Sequence, residues 1–546
     1  MEEPWFWFIN ATLLAATWIF IFRKRAQAAC PQVSTSDAPQ QAPVTVSAPG
    51  KVLITGGYQV LEKPRSGIVI AGDSRFHTTA QWRVAPATAM VRSSSSSSSS
   101  NPDHVCYVVV RSSQFATNTC YHILQSSLPS NELCRAVSVP FYDTTTNGAL
   151  VYVPSPPHNP YVQTTLSYCF TALLAMMDRK PPHIKTRLQR HAADGYLEIT
   201  LNADNCFYSQ QQTFQERDLP LSSSSYEGLE PFARPATVSK TGLGSSATLV
   251  SSLVGALMIS VGGHVLPNKK GKKKGFLHTT SVNLAHQLAQ VCHVVAQGKV
   301  GSGFDVCSAI YGSICYERYT PTILQRFTSS SSENESSSIT SMDLLSVLNQ
   351  KLWDHRATPF GLPDGYEIIL GDIAQGSSTP SMVRKVLAWR KEHVSSQFTW
   401  DELNKTNKMI FTSLEELRLL SSKSKKKNNN HNSRTRVASE KVARDMFRQA
   451  RSMLKEIGVK AGVDIEPDEQ TELCTATMDG VKNVIVCGVP GAGGNDAVFA
   501  IYYGGEETRH EIELFWETWR KEKGVSLCAM PLRGTPHGEP GLRVEV

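Results

Sequence analysis

At 546 residues, 41% hydrophobic and 19% charged, the chain has ordinary globular composition and enough length for two or more domains, which excludes a disordered protein. Its net charge of +7 hints at nucleic acid until it is located: the nine lysines within 269–274 and 423–427 account for it, and without them 46 basic residues face 48 acidic ones. Both runs lie among Gly, Asn and Ser without interleaved aromatics, the pattern of solvated loops rather than of a nucleic-acid-binding face.

Trp5 to Phe22 is an eighteen-residue segment interrupted only by Asn10, Thr12 and Thr17. A helix rising about 1.5 Å per residue just spans a bilayer core at that length. Trp5, Phe6 and Trp7 stand at one end and Arg23, Lys24 and Arg25 at the other, so the positive-inside bias predicts a single-pass anchor with the rest of the chain in the cytosol, tethered to an endomembrane. Ala26–Gln27–Ala28 resembles a signal-peptide cleavage site, but basic residues would precede the apolar core of such a peptide, and the uncleaved anchor is the expectation. Residues 31–43 carry Pro, Gln, Ser and Ala without apolar periodicity and read as a linker.

Folded structure is expected from Val44. Val44–Ala48 alternates as a strand, Pro49–Gly50 breaks it, and Lys51–Tyr58 resumes extended structure, which places Lys51 at a turn edge. Strand-like runs at 105–111, 148–153 and 196–201 and a helical pattern over 161–177 give α+β alternation. Ser93–Ser100, Ser329–Ser338 and the Ser/Lys/Asn tract 421–433 cannot bury apolar area and read as disordered insertions in surface loops.

The central stretch is Lys240–Thr241–Gly242–Leu243–Gly244–Ser245–Ser246–Ala247. Apolar residues at 249, 250, 253, 254 and 257 recur with helical spacing behind it, so the loop opens a helix. Glycines allow close backbone approach, and the open N–H groups of a first helical turn bind phosphate. No Gly-x-x-x-x-Gly-Lys-Ser/Thr occurs, which disfavours a Walker-type enzyme.

A second helix, Val282–Ala296, runs into Gln297–Gly298–Lys299–Val300–Gly301–Ser302–Gly303–Phe304–Asp305, with Asp305 expected in the first turn of the next helix. A first-turn aspartate is ordinarily a cap; here it is also a carboxylate that could orient an acceptor during phosphoryl transfer. His286 and His293 share a helical face without a Glu or Cys at metal spacing and read as packed or hydrogen-bonded residues. The twelve cysteines form no Cys-x-x-Cys pair or Cys/His ligand pattern, which argues against a zinc module and a disulfide framework and fits a reducing compartment. Tyr366–Gly371 reads as a strand and Gly376–Ser381 as a second loop opening a helix; Val484–Val489 is a buried strand before Pro490–Gly491–Ala492–Gly493–Gly494–Asn495–Asp496.

Pro49–Gly50–Lys51, Gly242–Ala247 and Gly491–Asp496 come in the order of the three motifs of the GHMP small-molecule kinases. With Ala296–Val306 and Gly376–Val383, the chain most resembles the eukaryotic-type phosphomevalonate kinase family over most of 44–504. The resemblance implies a two-domain α+β fold, with an N-terminal domain like domain 2 of ribosomal protein S5 and a C-terminal ferredoxin-like domain. It sets anchor and linker at 1–43, an ATP-binding domain at 44–327, a low-complexity linker at 328–350, and a second domain at 351–546 with a disordered insertion near 421–434.

It also implies ATP-dependent phosphorylation of 5-phosphomevalonate, with another GHMP kinase acting on mevalonate or a sugar, or a non-catalytic sensor, as alternatives. By that likeness Lys51 and Asp305 are catalytic, Lys240, Gly242, Leu243, Gly244, Ser245, Ser246 and Ala247 hold ATP, Ser246 places Mg²⁺, and Ser377, Ser378, Gly493 and Gly494 meet the acceptor. Gln297–Gly298–Lys299 departs from mevalonate kinases, which carry a metal-binding glutamate upstream of the aspartate. The expected partners are ATP, Mg²⁺, phosphomevalonate and a membrane through residues 5–22, with no nucleic acid.

Overall fold

The computed structural model describes residues 42–84, 103–112, 114, 117–125, 132–144, 150–153, 158–177, 182–268, 276–328, 339–376, 379–424 and 430–545. Ser93–Ser100, Ser329–Ser338, Ser377 and Ser378 lie outside them.

The strands, in order, are β1 (Val44–Leu53), β2 (Ser66–Val84), β3 (His104–Ser112), β4 (Thr117–Leu124), β5 (Arg135–Val139), β6 (Phe141–Thr144), β7 (Leu150–Val153), β8 (Gly195–Ala203), β9 (Ile314–Glu317), β10 (Arg356–Pro359), β11 (Tyr366–Asp372), β12 (Val484–Gly488), β13 (Ala497–Tyr503), β14 (Cys528–Met530) and β15 (Arg543–Glu545). A nine-stranded sheet runs β10-β9-β2-β8-β3-β4-β5, with β1 paired to both β2 and β15. It is mixed, because β3 and β8 are parallel whereas the other pairs are antiparallel. A four-stranded antiparallel sheet has the order β12-β13-β11-β14.

The helices that place the site are α1 (Pro160–Ala175), α2 (Ser245–Ser260), α3 (Phe276–Gln297) and α4 (Phe304–Tyr311). Those of the second half are α5 (Thr379–Glu392), α6 (Ser396–Ser424), α7 (Asn430–Ala461), α8 (Asp468–Gly480) and α9 (Gly505–Lys523). Helices α6 and α7 enter the Ser/Lys/Asn tract from either end. Helix α2 is nearly all apolar or small, and thirteen of its sixteen residues are buried against β1, β2, α1 and α3.

Period-2 side-chain alternation explains the apolar runs of the smaller sheet. Ile368 and Leu370 of β11 and Phe499 and Ile501 of β13 face the main core, while Ile369, Val498, Ala500 and Tyr502 face a second core closed by Leu473 and Met478 of α8 and Ile512 and Trp516 of α9. Both faces are covered, so both sets of alternate positions are apolar.

Strand β1 differs from the expectation of a break at Pro49–Gly50. It runs through to Leu53, and the register against β2 shifts between Pro49 and Lys51. A bulge absorbs the proline and re-aims the following side chain without ending the strand.

The expectation of membrane attachment is corrected. Residues 5–22 lie outside the described residues, and among the described residues no helix is long and apolar enough to cross a membrane. Helix α2 has sixteen residues against the ~20 that a span needs, and its apolar surface is used in the core. An eighteen-residue stretch broken by three polar residues was itself at the lower limit of such a span.

Candidate active site

Three glycine-bearing stretches far apart in sequence meet beside the end of β1. The Lys51 N–H donates to Leu243 O at 3.0 Å, and Lys51 Nζ donates to Gly242 O at 2.6 Å. Gly244 has φ +79, and a Cβ there would sit 3.0 Å from Lys51 Cε, so only glycine lets the lysine stem lie along the loop. The third stretch closes from the other side: the Gly491 N–H donates to Leu53 O at 2.9 Å, and the Tyr58 hydroxyl donates to Ala492 O at 2.6 Å. Tyr58 holds this latch from φ 63, a conformation rare for a non-glycine residue. Gly493, at φ +77, leaves 1.9 Å between a notional Cβ and Ile465 O, and the Gly494 N–H donates to that same oxygen at 2.9 Å.

Helix α2 starts behind Gly244, which takes the N-cap position in the left-handed conformation, and no side chain caps the helix. The first-turn amides of Ser245, Ser246 and Ala247 therefore have no side-chain acceptor, the arrangement in which a helix start takes an anion. Ser245 and Ala247 are buried, and Ser246 is half-buried.

Asp305 is the second residue of α4, as expected, and its Oδ1 accepts from the Val306 N–H at 2.9 Å. Its charge reaches Lys51. Removal from water pushes the Lys51 ammonium below the usual lysine range, and the carboxylates of Asp305 and Asp496 pull it partly back. The Phe304 ring centroid lies 5.5 Å from Lys51 Nζ. Cation, acid and helix start thus come together. Lys240, exposed at the head of the loop, and Lys299, exposed after α3, both act electrostatically on His293.

The sequence reading gave His293 no place in the site. Its Nε2 lies 3.1 Å from Ser246 Oγ and 3.1 Å from Gln297 Nε2. Burial lowers its pKa, Asp305 opposes that, and Lys240 and Lys299 reinforce it. Asp496 was read only as part of a glycine-rich loop, and nothing in Gly-Gly-Asn-Asp marks it as a partner of a lysine 445 positions upstream.

The oxygen set suits Mg²⁺, a hard ion that takes few protein ligands and completes its shell with water and phosphate. The Ser246 hydroxyl at the mouth of α2 and the Asp305 carboxylate are the residues that would hold it. Another group of metal-capable side chains among the described residues, His286, Cys307 and His355, has its ligand atoms within 4.8 Å of one another.

The mixed sheet, the smaller antiparallel sheet and the cradle facing Lys51 and Asp305 make this a GHMP-type small-molecule kinase fold. The solved Streptococcus pneumoniae phosphomevalonate kinase in complex with phosphomevalonate and AMPPNP has it too, at a TM-score of 0.51 and 13% identity over 90% of this chain and 99% of that one. The sequence is 30% identical over 536 residues to the peroxisomal phosphomevalonate kinase of Arabidopsis thaliana (91% of this chain, 95% of that protein) and 32% identical over 519 residues to the phosphomevalonate kinase of Aspergillus fumigatus (92% and 96%). The chain belongs to the phosphomevalonate kinase family. The Lin0012 protein of Listeria innocua shares the fold at a TM-score of 0.55 and 16% identity, over 92% of this chain and 99% of that one. No protein-family model matches the sequence.

The cytosolic placement is corrected together with the anchor. It rested on the orientation of residues 5–22 alone, no described helix is long and apolar enough to span, and the Arabidopsis relative is named as peroxisomal.

Proposed function

We infer that the chain transfers the γ-phosphoryl group of ATP to the phosphate of 5-phosphomevalonate, giving 5-diphosphomevalonate and ADP in the mevalonate route to isoprenoids. The bond from γ-phosphorus to the β,γ-bridging oxygen breaks, and a bond from an acceptor phosphate oxygen forms. The observation that carries the reading is the meeting of Lys51 with the 242–247 helix start and with the charge of Asp305.

In this reading the amides of 244–247 and Lys240 hold the ATP phosphates, and Lys51 carries positive charge to the transferring group. The acceptor is already largely ionised near neutrality, so Asp305 has little need to remove a proton. It orients the acceptor and balances Lys51. Ser246 and Asp305 would hold Mg²⁺, which would supply charge neutralisation between the two polyanions, the main demand of phosphoryl transfer. Gly493 and Gly494 keep the third loop close to the acceptor, and the family likeness puts Ser377 and Ser378 in the same role. The reading divides the folded part into lobes at 44–327 and 351–546, with the substrates between them.

ADP release measured by a coupled assay should be fast with phosphomevalonate and negligible with mevalonate or sugars. Lys51→Met and Asp305→Asn should each lower kcat by about 10³-fold, within the range for loss of a charged transition-state contact, while nucleotide still binds. Near-normal turnover in both variants would remove these roles.

A further inference from the structure

Ser246 can serve as a metal ligand only if its lone pairs, and not its hydroxyl proton, face the phosphates. Something has to take the proton, and the surroundings of His293 answer how.

His293 lies on α3, 4% exposed, with its ring beside Tyr161 at 5.9 Å between centroids. Its Nε2 has two neighbours. One is the side-chain nitrogen of Gln297, one turn further along α3, at 3.1 Å. An amide nitrogen only donates, so Nε2 must present a lone pair, which leaves the ring proton on Nδ1. The other neighbour is Ser246 Oγ, at 3.1 Å. A lone pair cannot donate, so in this contact the serine hydroxyl is the donor. Gln297 therefore fixes the histidine tautomer, and the tautomer fixes the direction of the Ser246 O–H. With the proton pointed into α3, both hydroxyl lone pairs are left for the phosphate side of α2. The stretch Gln297–Gly298–Lys299 carries no carboxylate that could do this.

We propose that His293, pinned as an acceptor by Gln297, is a positioning residue that holds the Ser246 hydroxyl as a lone-pair donor to the nucleotide-bound divalent cation. The proposal rests on the reading of Ser246 as a cation ligand. It gives this chain an imidazole and an amide behind the ligand serine, acting through hydrogen bonds and never touching the cation. Partners of this kind typically change metal affinity by about 10–100-fold when removed.

The test uses the full-length protein with Mn²⁺ as the probe. Free Mn²⁺ is measured by electron paramagnetic resonance in the presence of the non-hydrolysable nucleotide AMPPNP, and thermal midpoints are recorded for every variant. His293→Leu should weaken Mn²⁺ binding roughly tenfold or more. His293→Gln, whose carbonyl oxygen can occupy the Nε2 position and accept from the same hydroxyl, should restore most of it. Steady-state kinetics should show the defect of His293→Leu lessened by raised Mg²⁺, with KM for phosphomevalonate unchanged.

Ser246→Ala separates the two layers. If it leaves Mn²⁺ affinity intact, the ligand role of Ser246 fails. If it weakens binding while His293→Leu, still folded by its thermal midpoint, does not, the positioning role alone is overturned. Should His293→Leu not fold, the decision passes to ¹⁵N spectra of histidine-labelled wild-type protein. A protonated Nδ1 with a bare Nε2 supports the proposal, and a proton on Nε2 overturns it.

Discussion

Lys51 is subject to two opposed effects: burial disfavours its charge, and Asp305 and Asp496 favour it. The first is larger, so the free ammonium loses its proton at lower pH than an ordinary lysine. The charged form exists below that pKa, so activity that needs it is lost as pH rises through it. We expect kcat/KM, which reports the free enzyme, to fall on the alkaline side earlier than an unperturbed lysine would allow. Lys51→Arg should retain weak activity and lose that limb, because a guanidinium stays charged throughout; pH profiles of the two proteins check this. Lys51 and Asp305 were legible because each stands inside a glycine-rich motif whose order along the chain is informative. His293 was not, because its partner Ser246 is 47 positions away on another helix, and a lone histidine on an apolar face looks the same whether or not a hydroxyl meets it.

Element by element, the α2 start and the bulge in β1 do the positioning, and two glycines in one loop separate their contributions. A Cβ at Gly242 would meet nothing within 4 Å, so Gly242→Ala should cost only the ~1–2 kcal/mol of a left-handed alanine. At Gly244 the same strain is joined by contact with Lys51 Cε at 3.0 Å. Gly244→Ala should therefore lower kcat/KM by about 10²-fold, well beyond Gly242→Ala, through displacement of the cation; the two rate constants compared side by side check it. Helix α2 was readable from its apolar spacing, and β11 and β12 from their continuous apolar runs. The continuity of β1 was not, because Pro-Gly marks a turn in isolation and only pairing with β2 shows that a register shift suffices. Strand β15 gave no signal at all: Arg543–Val544–Glu545 is too short to show a period, and what makes it a strand is a partner almost 500 residues earlier.

At the scale of the whole molecule, that last strand ties the end of the chain to the strand that presents Lys51. Residues 45–47 of β1 pair with 543–545, Leu542 is fully buried, and Glu545 Oε1 accepts from Ser47 Oγ at 2.5 Å and from Arg543 Nε at 2.8 Å. Arg75, buried beside them, donates from Nε to Ser47 Oγ at 2.6 Å and lies 3.5 Å from Glu545. Loss of one buried aliphatic side chain and of a partner to buried arginine costs on the order of 5 kcal/mol, so removing residues 541–546 should lower the thermal midpoint by about 5 °C or more and abolish activity with it. Calorimetry and the ADP assay on the truncated protein check both.

The same cluster sets an acid limit. Burial pushes the Glu545 carboxyl up, but Ser47, Arg543 and Arg75 outweigh it and hold the pKa below the ordinary glutamate value. A depressed pKa contributes stability above the unfolded value that is lost as pH falls through the folded one. Glu545→Gln should thus flatten the decline of the thermal midpoint below about pH 4, the unfolded glutamate value. The arrangement also has a bearing on biosynthesis. A ribosome makes β1 almost 500 residues before β15, so the scaffold behind Lys51 stays one strand short until β15 has emerged, and the strands already made wait on a partner synthesised long after them.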